Sequence, residues 1–360
     1  MAKLQATEQR PIYSVYIVSQ SLKINVTPIL VGIERTEADG QIAQRVTLTL
    51  TNTQIEGMHI SSFVNACDRI YVYADDGEQK KEVFRGFLWD RSYKSSISEH
   101  KLRLTAYDNL IYLQKSEDTF YFPTKMSTKD IVSKICNKWK IKLSYEYNEI
   151  THPKLPVKGK LYDILTVDIL DVASWQTGSK YVVYSDQDVM YVKLYGTNTT
   201  IYKFYSGENV SHTVTGWSMD KVITQVAITG EKNDNDYEPI VKVEIANAHK
   251  YGTLQKLMTC DDVTKELWRV SAVAGQYLDY YCEPIWEYEI TGPDIPWIRK
   301  GDKVYVDAGD IDKKDLYVKE VRRTSDGKSS EMTLTLDDGR VWRGWRGNTV
   351  TPLAERNLNG

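Results

Sequence analysis

Three early runs of the chain read as strands, residues 12–18 (IYSVYIV), 27–36 (TPILVGIERT) and 43–52 (AQRVTLTLTN), and along the last of them apolar and polar positions alternate. In the third, Val46, Leu48 and Leu50 point one way and Thr47, Thr49 and Thr51 the other, the period of a half-buried strand. The segment RTEADGQ (35–41) between the second and third runs reads as a polar loop with a Gly turn. After Cys67 come RIYVYAD, the charged loop DGEQKKE, VFRGFLWDRSY, the polar connector KSSISEH and KLRLTAYDNL. This pattern predicts a set of antiparallel strands over roughly the first 115 residues.

From about residue 116 the period changes. Ser127 followed by Asp130 has the spacing of a helix-capping pair, and Ile131, Ile135 and Trp139 then recur every four residues. IKLSYEY is a short strand. A second helix is predicted over 161–176, with Leu165, Ile169 and Val172 on one face and Gly178 as its stop. A hairpin follows, KYVVYSD and VMYVKLYG around a turn at Gln187-Asp188. Beyond residue 206 the strand pattern returns. NVSHTVTGWSMDKVITQVAITGEKN reads as a strand pair, and 262–281 as a helix with Val263, Leu267, Val270, Ala274 and Leu278 on one face. IWEYEITG, KVYVDAG, LYVKEVRRT and MTLTLDDG follow as strands.

The chain also repeats itself. Asp68-Arg69-Ile70-Tyr71-Val72 is answered by Asp302-Lys303-Val304-Tyr305-Val306. Strand, charged turn, strand, polar connector and alternating strand follow in the same order after each, so that Leu102, Leu104 and Asp108 fall opposite Met332, Leu334 and Asp338. Upstream, Gly32 is set against Gly216 and Val46 against Val226. Alternating strands resemble one another, but the shared order of elements and the near-identity of DRIYV and DKVYV favour two copies of one β domain. The expectation is a mostly β chain with an α+β insert. Two duplicated antiparallel β domains, at 1–115 and 206–345 (the second with one helix), flank a small α+β module at 116–205. Residues 346–360 form an extension that packs on a partner, with Trp342, Trp345 and Arg346 as its candidate contacts.

Composition narrows the function. With 360 residues and a net charge of −3, the chain has no basic surplus to clamp nucleic acid. It has no apolar run long enough to span a membrane and no evident secretion signal, so assembly in a bacterial cytoplasm is expected. The four cysteines, Cys67, Cys136, Cys260 and Cys282, are widely spread and read as buried free thiols. Tyr (25 residues) and Trp (9) are abundant, which suits pleated surfaces.

No catalytic, metal or cofactor site is expected. The five histidines are scattered and no nucleophile elbow or phosphate loop occurs. NDNDYEPIVKVE (233–244) has Asn233, Asn235 and Glu244 at calcium-ligand spacing, but Glu238 stands where such a loop needs Gly. Glu287 and Glu289 share one strand face at about 6–7 Å, a spacing within reach of glycosidase pairs, yet Trp286, Tyr288 and Ile290 make ordinary amphipathic alternation the simpler reading.

The runs TPILVGIERTEADGQIAQRVTLTLTN, MSTKDIVSKICNKWKI, AHKYGTLQKLMTCDDVTKELWRVSAVAGQYL and IRKGDKVYVDAGDIDKKDLYVKEVRRT together resemble the baseplate hub family of contractile phage tails and tailocins, the late control gene-D-like proteins and their Gram-positive prophage counterparts. The likeness covers most of the chain. It implies a homotrimer whose paired tube-like domains mimic six units, joining a six-fold tail tube (or its initiator) to a three-fold central spike. It implies contacts with other baseplate, wall-binding or lytic tail proteins and a polar lumen through which DNA could pass as cargo. The polar segment with Glu34, Arg35, Glu37 and Asp39 is the candidate inter-ring or inter-subunit loop. A protein that binds or hydrolyses the peptidoglycan wall is the alternative that the aromatic content allows.

Overall fold

The computed structural model describes residues 10–340 except 21, 56, 97–99, 148–149 and 261. The first β body contains β1 (Ile12–Ser19), β2 (Leu22–Asn25), β3 (Leu30–Glu37), β4 (Arg45–Thr51), β5 (Arg69–Asp75), β6 (Lys80–Ser95) and β7 (His100–Tyr107). Val46, Leu48 and Leu50 are fully buried, as their alternation requires. They pack with Val15, Ile17, Ile70, Val72, Leu102 and Leu104 in one core.

The middle module starts from the capping signal. The Ser127 hydroxyl accepts from the Asp130 amide at 3.0 Å and opens α1 (Thr128–Lys138), which buries Ile131 and Ile135. Strand β8 (Lys142–Tyr145) follows. A continuous helical segment over 161–177, with a π-helical stretch at Ile164–Asp171, stops at Gly178, whose φ of 73° provides the left-handed cap. Strands β9 (Tyr181–Asp186) and β10 (Val189–Leu194) form the predicted hairpin, with Gln187 and Asp188 both at positive φ (48° and 66°), as a two-residue turn of matching twist needs.

The second β body contains β11 (Tyr202–Tyr205), β12 (His212–Ser218), β16 (Ile285–Pro293), β17 (Lys303–Ala308), β18 (Ile311–Ser325) and β19 (Ser330–Asp337). Strand β11 pairs with β17, so residues 202–205 go with this body rather than with the module before it. Between β12 and β16 stands an insertion with its own three-stranded sheet, β13 (Gln225–Thr229), β14 (Ile240–Ile245) and β15 (Gln255–Thr259), covered by α2 (Val263–Tyr281). Its core is separate, built from Val226, Ile228, Met258, Cys260, Val270, Ala274 and Leu278.

Both bodies share one thirteen-stranded sheet. Its order is β12-β16-β19-β18-β3-β4-β7-β6-β5-β1-β2, with β17 and β11 branching from β18. The halves follow the same order of pairing: β3-β4-β7-β6-β5-β1 in one and β12-β16-β19-β18-β17-β11 in the other. They differ at the last strand, since β1 joins β5 antiparallel and β11 joins β17 parallel. Three expectations are corrected here. Residues 209–233 are not a strand pair, because β12 and β13 lie in different sheets. The counterpart of β4 is β16, not the strand with Val226, because the insertion displaces β16 along the sequence. The same pairings set Thr213 against Ile33, and Gly216 therefore against Thr36 rather than Gly32.

Candidate assembly interface

The repeated DRIYV and DKVYV sequences fold into the same device. Asp68 accepts from the Asn65 amide at 2.7 Å, and Asp302 from the Arg299 amide at 2.8 Å. The preceding residue has positive φ in both, 67° at Cys67 and 91° at Gly301. Cys67 and Leu88 exchange backbone bonds across this corner (Cys67 N to Leu88 O, Leu88 N to Asp68 O), and Gly301, Asp302 and Val318 repeat the pattern, all at 2.8 Å. Each long strand then bulges at the next residue, Trp89 in β6 and Lys319 in β18, where it pairs with β7 or β19.

The bodies meet where β18 pairs antiparallel with β3, from Val321 opposite Glu37 to Ser325 opposite Ile33. Arg323 stands opposite Arg35, and both are buried. Two guanidinium groups can share such a place only with acceptors around them. Arg323 Nε lies 3.0 Å from Asp294 Oδ1, and its Nη2 donates to the carbonyls of Ile295 and Ile298. Arg35 Nη2 donates to the Pro296 carbonyl at 3.1 Å, and Tyr13 donates to Asp294, which also accepts from Ser330. Burial pushes Arg35 down to about 10 and Tyr13 well above the usual phenol range.

A second buried cluster joins all three parts. Arg299 Nε meets Glu37 Oε2 at 3.3 Å, Arg299 Nη2 donates to the Ser185 carbonyl at 3.1 Å, and the guanidinium covers the Tyr184 ring. Burial would raise the Glu37 carboxyl, but Arg299, Arg323, Arg35 and Lys300 outweigh it and hold it below the usual range. Burial pushes Asp108 up to about 7, against its bonds from the Gln44 and Leu110 amides, and Asp302 up to about 6.

These contacts correct the expected loop. Glu34, Arg35 and Glu37 belong to an interior strand, paired on both sides, because β18 claims what reads in isolation as a polar connector. Only the turn around Asp39 remains, and it is tied to Lys319 at 3.1 Å and to Glu320. Deleting residues 36–40 would cut this strand. Trp342, Trp345 and Arg346 lie outside the described residues. The thiols also differ from expectation, since Cys67 is exposed and Cys282 half-buried, while Cys136 and Cys260 are buried. Asn233 accepts from the Asn235 and Tyr237 amides, and Glu244 is held by Lys242 and Ser271, so these groups serve their own turn and sheet. Glu287 and Glu289 stand opposite Gly216 and Val214, with Tyr288 and Ile290 facing the core and Trp286 exposed. Among the described residues no group of His, Cys, Asp or Glu could hold a metal ion, and no helix is long and apolar enough to cross a membrane.

Among the described residues, the open surfaces include the following three. Among the described residues strand β12 pairs only with β16, and it exposes Val214 and Trp217. The far end of β6, residues 89–95, is exposed throughout and, among the described residues, pairs only with β7. The outer face of the insertion shows Val243, Ile245 and Leu257, at 40%, 62% and 52% exposure. Edges and apolar faces of this kind are where other chains add on. None carries a motif, although the overhang of β6 beyond β5 is a clue present in the lengths of the two runs.

A mostly antiparallel chain of this architecture has the fold of phage tail proteins. The tail protein of Neisseria meningitidis MC58 superposes with a TM-score of 0.65 at 13% identity, covering 92% of this chain and 98% of that one. The 43 kDa tail protein of prophage MuSo2 from Shewanella oneidensis gives the same score over 91% and 99%. The E. coli c3393 protein, a type VI secretion component described as similar to the T4 tail proteins gp27 and gp5, gives 0.53 over 89% and 76%. Residues 35–337 match the YQBQ-like family model, and the chain belongs to that family. A curated relative, the phage-like element PBSX protein XkdQ of Bacillus subtilis strain 168, is 25% identical over 75% of this chain and 83% of its own length. By fold the chain is like phage tail proteins, and by sequence it is kin to a protein of a phage-like element.

Proposed function

We propose that the chain is the hub of a contractile injection tail, a homotrimer that joins the six-fold tail tube to the three-fold central spike. The observation that carries this reading is the pairing order, the same six-strand succession in each half of one sheet. A chain with two equivalent tube-like bodies presents six similar units when three copies close into a ring, which is what a six-to-three adaptor needs. Kinship with a phage-like element protein and the fold of tail proteins support the setting. The neighbours in the assembly would be the tube protein or its initiator, the spike, and the other baseplate and lytic components. The particle would be assembled in the host cytoplasm.

The role is structural. Contraction would draw on a sheath and wall cleavage on a separate partner, with DNA or protein as cargo that passes through the ring. The test is microscopy of particles made without this chain. Tubes and spikes should then fail to join, and the return of the gene should restore them. Particles that still carry a spike on a complete tube would exclude the hub role. Cleavage of peptidoglycan by the purified chain, lost in a Glu287→Gln, Glu289→Gln double variant, would exclude a purely structural one.

A further inference from the structure

The chain contains both sides of a strand junction that it makes only once. Inside the chain, the end of β18 pairs with β3. The ladders identify the counterparts of both strands. In the first half the row across the sheet runs Ile33, Leu48, Leu104, Arg91, and in the second it runs Thr213, Ile290, Leu334, Val321. The bulges at Trp89 and Lys319 fix the same register independently. Residues 91–95 are therefore the counterpart of 321–325, and 213–217 the counterpart of 33–37.

The used and unused versions differ in burial. Val321 and Arg323 are buried beneath the junction, whereas Arg91 and Tyr93 are exposed. Ile33, Arg35 and Glu37 are buried, whereas Trp217 is 59% exposed and Thr213 and Thr215 are half-exposed. Of the two open segments, 213–217 is not protected in the usual ways. Residues 213–217 carry no charge and no proline, and their outer ladder is unpaired among the described residues.

We propose that residues 91–95 of one copy pair antiparallel with residues 213–217 of a second copy of this chain, in the register Arg91 opposite Trp217, Tyr93 opposite Thr215 and Ser95 opposite Thr213. This rests on the trimeric hub reading and names the contact that closes its ring. The intrachain junction supplies the template, because each free segment repeats the place of a strand that already makes this pairing. The cross-strand chemistry suits it. Arg91 would lie beside the Trp217 ring, a favourable cation–aromatic pair, and Tyr93 would cover the β-branched Thr215. Repeated head to tail, the contact alternates with the internal junction, so every body has the same neighbours.

The test is a pair of cysteines in a Cys67→Ser background, Lys94→Cys with Val214→Cys, placed in assembled particles and oxidised. Both positions are exposed in the single chain, so the fold should tolerate them. Opposed residues in antiparallel strands are close enough for a disulfide, and residues two positions out of register are not. A covalent ladder ending in a closed three-chain species, reversed by a reducing thiol and absent from each single variant, is the expected result. The off-register pair Lys94→Cys with Gly216→Cys should give a small fraction of that yield. Equal crosslinking of the two pairs, or none from either, overturns the pairing. If three copies per particle are still counted, the trimer survives that loss. Efficient in-register crosslinking with a different copy number would instead keep the pairing and overturn the trimer.

Discussion

At the residue scale, Asp68 and Asp302 show how a short echo in sequence encodes a corner in space. Each carboxylate holds the amide three residues before it and orients the strand that enters the sheet. Replacing either by Ala should cost about 1 kcal/mol in a denaturant titration, with similar losses at the two sites. The buried acids give a pH signature. Asp108 is raised to about 7 and Asp302 to about 6, so the folded chain holds protons there that the unfolded chain releases near pH 4. Their contribution is fully present at low pH and is lost as pH rises from about 4 to about 7. Glu37, which is depressed, works in the opposite direction as pH falls through its own range. The Asp108→Asn variant should flatten the decline of stability between pH 4.5 and 7.5 by on the order of 2–4 kcal/mol. Melting curves across that interval check it, and an unchanged slope would contradict the assignment.

At the scale of elements, the insertion leaves and rejoins the sheet at one point, because Ser218 and Ile285 are directly paired. It also has its own core. Replacing residues 219–284 by an Asn-Gly turn should leave β12 and β16 as a simple hairpin, with the strand content of the second body retained by circular dichroism. Loss of the whole fold would show that the insertion is part of the sheet's foundation. The helix caps and strand alternations were legible from the chain alone, since Ser127, Gly178 and the Val46–Leu50 run act through neighbours a few residues away. The hairpin turn at Gln187-Asp188 was legible for the same reason. The interior place of Glu34 to Glu37 was not, because several of their polar partners, Pro296, Arg299, Lys300 and Arg322, lie far along the sequence. Nor could the insertion be seen, since β13 reads as a strand as well as β16 does and only the ladders show which one follows β12.

At the scale of the whole molecule, one continuous sheet ties the two bodies together, and the middle module is fastened across them. Asp188 at the tip of its hairpin pairs with Arg69 of the first body, and Arg299 of the second reaches Ser185 and Tyr184. Arg299→Ala would leave Glu37 with fewer partners in a buried site, and should destabilise the chain by about 2–4 kcal/mol in denaturant titration. A rigid three-part subunit would suit the proposed ring, which would have to hold its shape while a spike is driven forward. The internal repeat was the clearest message of the sequence at this scale, but the open edges depend on where the strands end in three dimensions. The central claim is that three duplicated chains stand in for six units. The most direct measurement is the number of copies per particle, from quantitative mass measurement of purified tails against the other tail components. The account predicts three; one or six would contradict it.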